Sequence, residues 1–461
     1  MSNLHEECGV FGIWDPEGHC AETTYYGLVS LQHRGQEGCG IAVNLNREIT
    51  HYKDVGLVNE VFNEEILQRL PGNMAVGHVR YSTAGGSLRE NVQPLVLRYI
   101  KGTLAIAHNG NIVNTSGLKK SLERNGAIFQ TTADTEIIAY LIARERVNTG
   151  SIEESVKNVM KMLKGAFSLL VMSPQKLIAA RDPWGFRPLC MGKRDNAYIF
   201  ASESCAFDSI DAEYIRDIEP GEIVVVENGR IKEDKELTGK NTSLCIFEHI
   251  YFSRPDSYID GQGVHEARKA AGALLAKQSK TEADIVIGVP DSGLSAAAGY
   301  AEYSGIPYET GFIKNKYIGR TFIKPQQSSR EIAVKMKLNT LKSVISGKRV
   351  IMVDDSIVRG TTCARIVNLL RSAGAKEVHV KISCPPFMWP CYFGTDIPSR
   401  KELIANNHTI EEIGRIINAD SLDYLSIENL HKIAPYSNLK FCDACFTGNY
   451  PIDVSDAETS K

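Results

Sequence analysis

Two adjacent carboxylates, Asp354 and Asp355, stand where an apolar run stops and a glycine–threonine loop begins. The run Arg349-Val350-Ile351-Met352-Val353 is rich in β-branched residues and reads as a buried strand. Ser356-Ile357-Val358-Arg359-Gly360-Thr361-Thr362 follows, then a helical pattern at Ile366, Leu369, Leu370 and Ala373. A strand, a tight loop and a helix amino end can hold a phosphate, because the first helical amides lack partners and the helix dipole favours an anion. Gly360 lets the backbone come close, and the threonine hydroxyls add donors. Carboxylates repel phosphate, so the acidic pair must face something else, such as sugar hydroxyls or a divalent cation. A ligand with a phosphate at one end and a ribose diol at the other satisfies both halves.

A second loop of the same kind is Gly288-Val289-Pro290-Asp291-Ser292-Gly293, again at the carboxyl end of an expected strand. Ser292 and Gly293 open the next helix, which makes another anion nest. Between the two nests runs Lys314-Asn315-Lys316-Tyr317-Ile318-Gly319-Arg320-Thr321-Phe322-Ile323-Lys324, continuing to Lys335 and Lys337 with Glu331 as its one acid. This segment is expected to be a lid, hinged near Gly319, that closes on pyrophosphate and excludes water. The stretch 349–362 resembles the signature of type I phosphoribosyltransferases, which bind phosphoribosyl pyrophosphate. The resemblance implies that Asp291, Ser292, Gly293, Asp354, Asp355, Ser356, Gly360, Thr361 and Thr362 bind that ligand, with Ser292, Asp354 and Asp355 handling Mg2+ and the sugar.

At the other end of the chain, Cys8-Gly9-Val10-Phe11-Gly12-Ile13 resembles the start of the class II glutamine amidotransferases, which are N-terminal nucleophile hydrolases. In that family the first residue of the mature chain attacks the glutamine amide, and its free α-amino group, titrating near pH 8, can serve as base. The resemblance implies cleavage between Glu7 and Cys8, with 1–7 a propeptide. It further implies that Arg80 forks the glutamine carboxylate, that Asn109 and Gly110 stabilise the oxyanion, and that Asp134 holds the ammonium. Arg34-Gly35 matches the family's loop that closes over glutamine.

Cys442-Asp443-Ala444-Cys445 is a CxxC; Cys391 lies in Trp389-Pro390-Cys391-Tyr392-Phe393-Gly394, and Cys245 follows a polar stretch, 233–243. Four thiolates suit zinc or a cubane iron–sulfur cluster, and spacing does not decide between them. Cys20, Cys39, Cys190, Cys205, Cys363 and Cys384 read as packing residues.

Elements that position these groups follow from the pattern. Strands are expected at 8–14, 40–43, 74–79, 104–108, 167–172, 199–202 and 223–226, and helices at 58–70, 116–125, 135–145 and 152–163. Short strands without regular βαβ alternation suggest an antiparallel α+β domain over 8–240. Beyond the polar stretch the order becomes strand–helix–strand: helix 263–280, strand 284–289, helix 295–304, a short strand 306–308, strand 349–353, a helix stopped by Gly374, and strand 378–383. That is an α/β domain over 241–461 with a parallel sheet whose ligands sit at the strands' carboxyl ends. The tail after Pro451 is expected to fray.

The chain has 461 residues, enough for more than one domain, with 43% hydrophobic and 23% charged residues. A net charge of -3 argues against nucleic-acid or basic membrane-surface binding. With no transmembrane-length run or signal peptide, the cytoplasm is the expected location, so the 11 cysteines are read as reduced.

Taken together, the halves resemble the glutamine phosphoribosylpyrophosphate amidotransferases from Cys8 to about Pro451. That family implies glutamine hydrolysis at one site, passage of ammonia, and displacement of pyrophosphate to give phosphoribosylamine, the first step of purine synthesis. It also implies a homotetramer and feedback inhibition by purine nucleotides. Cys245, Cys391, Cys442 and Cys445 match the branch that carries a [4Fe–4S] cluster. The stretch 349–362 argues against a glutaminase feeding another acceptor, and the set Cys8, Arg80, Asn109 and Asp134 argues against a non-catalytic regulator.

Overall fold

The computed structural model describes residues 8–81, 88–315, 338–397 and 399–458. The expected propeptide and all of the expected lid, Lys314 to Lys337, beyond Asn315 lie outside the described residues. Two antiparallel sheets carry the first half of the chain. One has seven strands in the order Glu213–Asp217, Cys190–Arg194, Ala197–Ala201, Gly9–Trp14, Met74–Arg80, Gly38–Leu45, Glu48–Val55. The other has six: Arg230–Asp234, Ile223–Glu227, Lys176–Arg181, Gly165–Met172, Gly102–Ile112, Leu95–Tyr99. Side-chain alternation builds the layers. Along Gly9–Trp14, Val10 enters the core between the sheets with Leu170 and Phe200, while Phe11 and Ile13 join Leu28 of the helix Cys20–Ser30 on the outer face. The helices Asp134–Asn148 and Ile152–Met162 cover the outer face of the six-stranded sheet through Ile138, Ile142, Val156 and Val159. Each such side chain stabilises the fold by about 1.5–3 kcal/mol.

The second half is built on a parallel sheet ordered Ile285–Gly288, Arg349–Asp354, Glu377–Ile382, Ser421–Tyr424. Val286, Ile351, Met352, Val353 and Val380 are fully buried, as strands covered on both faces require. A two-stranded parallel ladder pairs Leu244–Cys245 with Phe441–Cys442 and sets Cys245 opposite Cys442. No helix among the described residues is long and apolar enough to cross a membrane.

Local chemistry overrode the pattern in places. The expected helix 58–70 is two short ones, Val58–Val61 and Glu64–Gln68. Phe62 is extended and the Asn63 side chain accepts from the Ile66 amide at 2.9 Å, so a cap interrupts the apolar period. Glu48–Val55, with exposed Glu48, His51 and Val55, is an edge strand without an apolar alternation to reveal it. The short strand expected at 306–308 is one bridge, Val286 to Tyr308. The tail is docked where fraying was expected: Val454 and Ala457 are buried with Phe186, Tyr392 and Phe393.

Candidate active sites

Cys8 immediately precedes the strand Gly9–Trp14, whose Gly9 pairs with Val79, so the thiol lies level with Arg80 on the adjacent strand. Its Sγ donates to the Tyr81 carbonyl at 3.4 Å. His78 joins this strand to the other sheet, its Nε2 donating to the His108 carbonyl at 3.1 Å. The next residue, Asn109, is 1% exposed, and neither polar atom of its side chain has a hydrogen-bond partner. An orphaned buried amide is costly unless a ligand completes it. Gly110 has φ +136°, and a Cβ there would stand 2.1 Å from the Ala166 carbonyl oxygen, so only glycine lets the backbone take this course. Asp134 opens the helix Asp134–Asn148. It accepts from the Ile112 amide at 3.1 Å and lies 3.3 Å from His108 Nδ1. Burial pushes its carboxyl up, but His108 and the amides more than offset this and hold it below the usual carboxylate range. Cys8 and Arg80 thus sit level on paired strands of one sheet, Asn109 and Gly110 lie on the strand that His78 ties to it, and Asp134 meets that strand at His108 and Ile112.

Arg34 packs behind Cys8. Its guanidinium is buried against Glu203 at 2.5 Å and Glu248 at 2.8 Å. Its Nε donates to the Cys8 carbonyl at 3.2 Å, which makes it a support of the Cys8 backbone. Gly35 lies against the Arg80 backbone, where a Cβ would be 2.6 Å from the amide nitrogen.

His78 also makes a pH prediction. Burial lowers its pKa to about 3. The folded protein therefore keeps it neutral while the unfolded chain takes a proton below about 6.5. Its contribution to stability is complete above pH 6.5 and falls by about 1.4 kcal/mol per unit as pH drops toward 3. Chemical denaturation of wild type and His78→Gln across pH 4–7 is expected to show a shallower pH slope in the variant.

In the second half, Ile285–Gly288 pairs in parallel with Arg349–Asp354, so the two nests lie side by side at the same sheet edge. Ser292 Oγ donates to Asp355 Oδ1 at 2.5 Å, and Ser356 donates to the other oxygen of Asp355, so one carboxylate joins both loops. Asp354 is 3% exposed; burial and its neighbour Asp355 raise its pKa well above the usual range. Gly360, at φ +77°, precedes the helix Thr361–Ser372, and Asp354, Ser356, Arg359, Gly360, Thr361 and Thr362 line one pocket. Lys314 pairs with Asp291 beside it. The strands Phe312–Lys314 and Leu338–Thr340 pair antiparallel at the foot of the expected lid.

Cys245, Cys391, Cys442 and Cys445 line one cavity, partly open to solvent, together with Phe186, Phe247, Phe393 and Tyr450. Burial drives the Cys442 thiol up to about 12 and, together with the neighbouring thiols, Cys445 well above its ordinary value. Thiolates here need a cation in their midst. The other six cysteines are buried packing residues, as expected.

Three buried charges beside this site belong to none of the sequence motifs: Glu203, Glu248 and Arg187, all fully buried. Glu248 grips Arg34 and also takes Arg187 Nη1 at 3.3 Å. Burial would raise the Glu248 carboxyl, but Arg34 and Arg187 outweigh it and hold it low. A lone acid inside Ile246-Phe247-Glu248-His249-Ile250 was the available signal, since buried charge demands a partner.

A glutamine amidotransferase domain family matches residues 78–209, and a phosphoribosyl transferase domain family matches 261–386. The chain is 53% identical to the amidophosphoribosyltransferase of Bacillus subtilis, covering 98% of this chain and 96% of that one. It is 50% identical to the amidophosphoribosyltransferase of Methanocaldococcus jannaschii, covering 97% and 98%. A solved structure described as the glutamine phosphoribosylpyrophosphate amidotransferase of B. subtilis complexed with ADP and GMP superposes with a TM-score of 0.90 at 51% identity, over 97% of this chain and 98% of that one. With that likeness running through both sites, the chain belongs to the amidophosphoribosyltransferase family, glycosyltransferases that carry glutamine amidotransferase activity and act in purine biosynthesis.

Proposed function

We propose that Cys8 is the nucleophile of the glutaminase half-reaction, exposed as the first residue by cleavage after Glu7. Its thiolate attacks the side-chain carbonyl carbon of glutamine, and ammonia leaves. Water then hydrolyses the thioester to glutamate. Asn109 and the Gly110 amide receive the oxyanion, and the partnerless buried amide of Asn109 is the observation that carries this reading. Arg80 takes the glutamine carboxylate, Asp134 its ammonium, and Arg34-Gly35 backs the pocket.

Ammonia then crosses an internal channel to the second site and attacks C1 of phosphoribosyl pyrophosphate. Pyrophosphate leaves and 5-phosphoribosylamine forms. The 5′-phosphate rests on 356–362, with Gly360, Thr361 and Thr362 at the helix amino end. Asp291, Ser292 and Gly293 form the facing nest. Ser292, Asp354 and Asp355 would hold Mg2+, whose charge would offset that of the departing pyrophosphate.

Cys245, Cys391, Cys442 and Cys445 fit a [4Fe–4S] cluster: four thiols share one apolar-walled cavity, where their thiolates need positive charge. When bound, the cluster would join the 245 ladder, the 391 loop and the tail into one unit. The domain boundary falls near 240, after the last strand of the six-stranded sheet. Purine nucleotides act as feedback inhibitors, in line with the ADP and GMP of the related structure, and the enzyme works as a cytoplasmic homotetramer. The test mixes anaerobically purified protein with glutamine, Mg2+ and phosphoribosyl pyrophosphate and measures glutamate, pyrophosphate and iron. Glutamate and pyrophosphate in equal amounts, with four irons per chain, are expected. Glutamate without pyrophosphate, or zinc in place of iron, overturns the corresponding part.

A further inference from the structure

The loop that carries Cys391 reaches the glutaminase centre by two routes. Asn111, one residue past the oxyanion pair, donates its Nδ2 to the Tyr392 carbonyl at 2.8 Å. Gly394 lies directly on this strand: a Cβ there would stand 3.4 Å from the Gly110 carbonyl carbon. On the second route, Arg187 Nη2 donates to the Phe393 carbonyl at 2.6 Å. Arg187 also meets Glu248, which grips the Arg34 that holds the Cys8 carbonyl. Phe393 stacks on Phe186 with ring centroids 4.3 Å apart, and both rings wall the four-thiol cavity. Four residues thus touch the cavity, the oxyanion strand and the relay to the nucleophile.

We propose that Asn111 is a positioning residue of the glutaminase reaction: it ties the Asn109–Gly110 strand to the Cys391 loop, so that filling the four-thiol cavity sets the oxyanion donors in place. The proposal rests on the assignments of the glutaminase centre and of the cluster cysteines given above. Iron content of wild type and glutamate formation by a Cys8→Ala variant report on those assignments separately. Oxyanion donors act only when correctly placed, and a misplacement near 1 Å costs about 10²-fold in rate. Coupling is reciprocal, so weakening the tie must also loosen whatever fills the cavity.

The test uses Asn111→Asp, which keeps the shape but sets a carboxylate against a carbonyl, and Asn111→Ser, which removes the amide without adding charge. Glutamine-dependent kcat is expected to fall about 10²-fold, with KM for glutamine changed by less than about threefold. Synthesis from added ammonia should stay within about twofold of wild type, since that reaction bypasses the oxyanion. Iron release to a ferrous chelator, followed by bleaching of visible absorbance, should be about fivefold faster or more. Asn111→Gln, which retains an amide donor, should recover most of both effects. Unchanged glutaminase kcat, unchanged iron release, or a parallel fall in the ammonia-dependent reaction would overturn the proposal.

Discussion

Cys8→Ala protein is expected to form no measurable glutamate, a loss of about 10⁴-fold or more, while still making phosphoribosylamine from ammonium salts. Arg34 and Tyr81 meet Cys8 through its carbonyl and thiol and offer no second attacking atom. The acceptor site is built from other strands, the parallel pair ending at Gly288 and Asp354. Assaying pyrophosphate release with glutamine and then with ammonia, at a pH near 8.5 where free ammonia is appreciable, checks both halves at once. Full glutamate release by the variant would remove Cys8 from the mechanism; loss of the ammonia-dependent reaction as well would mean that the substitution disturbs more than the glutaminase.

Asp355→Asn gives the complementary pattern. Both nitrogen sources should fail, with pyrophosphate formation down by about 10²–10³-fold, because the carboxylate that links the two nests loses its charge while keeping its shape. Ser292 donates to one of its oxygens and Ser356 to the other, so the substitution turns one of these acceptors into a donor facing a hydroxyl. Basal glutamate formation should persist, since Cys8 and Asn109 sit in the antiparallel half. Isothermal titration with phosphoribosyl pyrophosphate and Mg2+ should show the affinity drop directly. An Asp355→Asn enzyme with unaltered pyrophosphate release would assign the cation and sugar to other groups.

Much of this arrangement was legible in residue order because each local signal was also a structural one. The β-branched run before Asp354 had to be buried, Gly360 had to turn the chain, and the helix after it had to present unpaired amides. The parallel sheet, the adjacent nests and the antiparallel first half followed. What escaped notice depends on pairings far apart in the chain. Glu48–Val55 forms a strand because Gly38–Leu45 offers it a ladder, not through any alternation of its own. Asn63 broke an apolar period that otherwise favoured one helix. Arg34, Glu203, Glu248 and Arg187 become one buried charge cluster only when segments some 200 residues apart meet. The tail after Pro451 reads as acidic, and its docking depends on Val454 and Ala457 meeting Phe186, Tyr392 and Phe393 from distant parts of the chain.

The ladder between Leu244–Cys245 and Phe441–Cys442 has a consequence for biogenesis. Two of the thiols that wall the cavity leave the ribosome only after nearly the entire acceptor half has been synthesised. Any metal that these four thiols hold could not be captured through the full set by a half-made chain, so its delivery would be a checkpoint on a finished polypeptide. A nascent chain stalled before Phe441 would expose the 245 edge and the aromatic wall to chaperones and proteases, marking itself for removal.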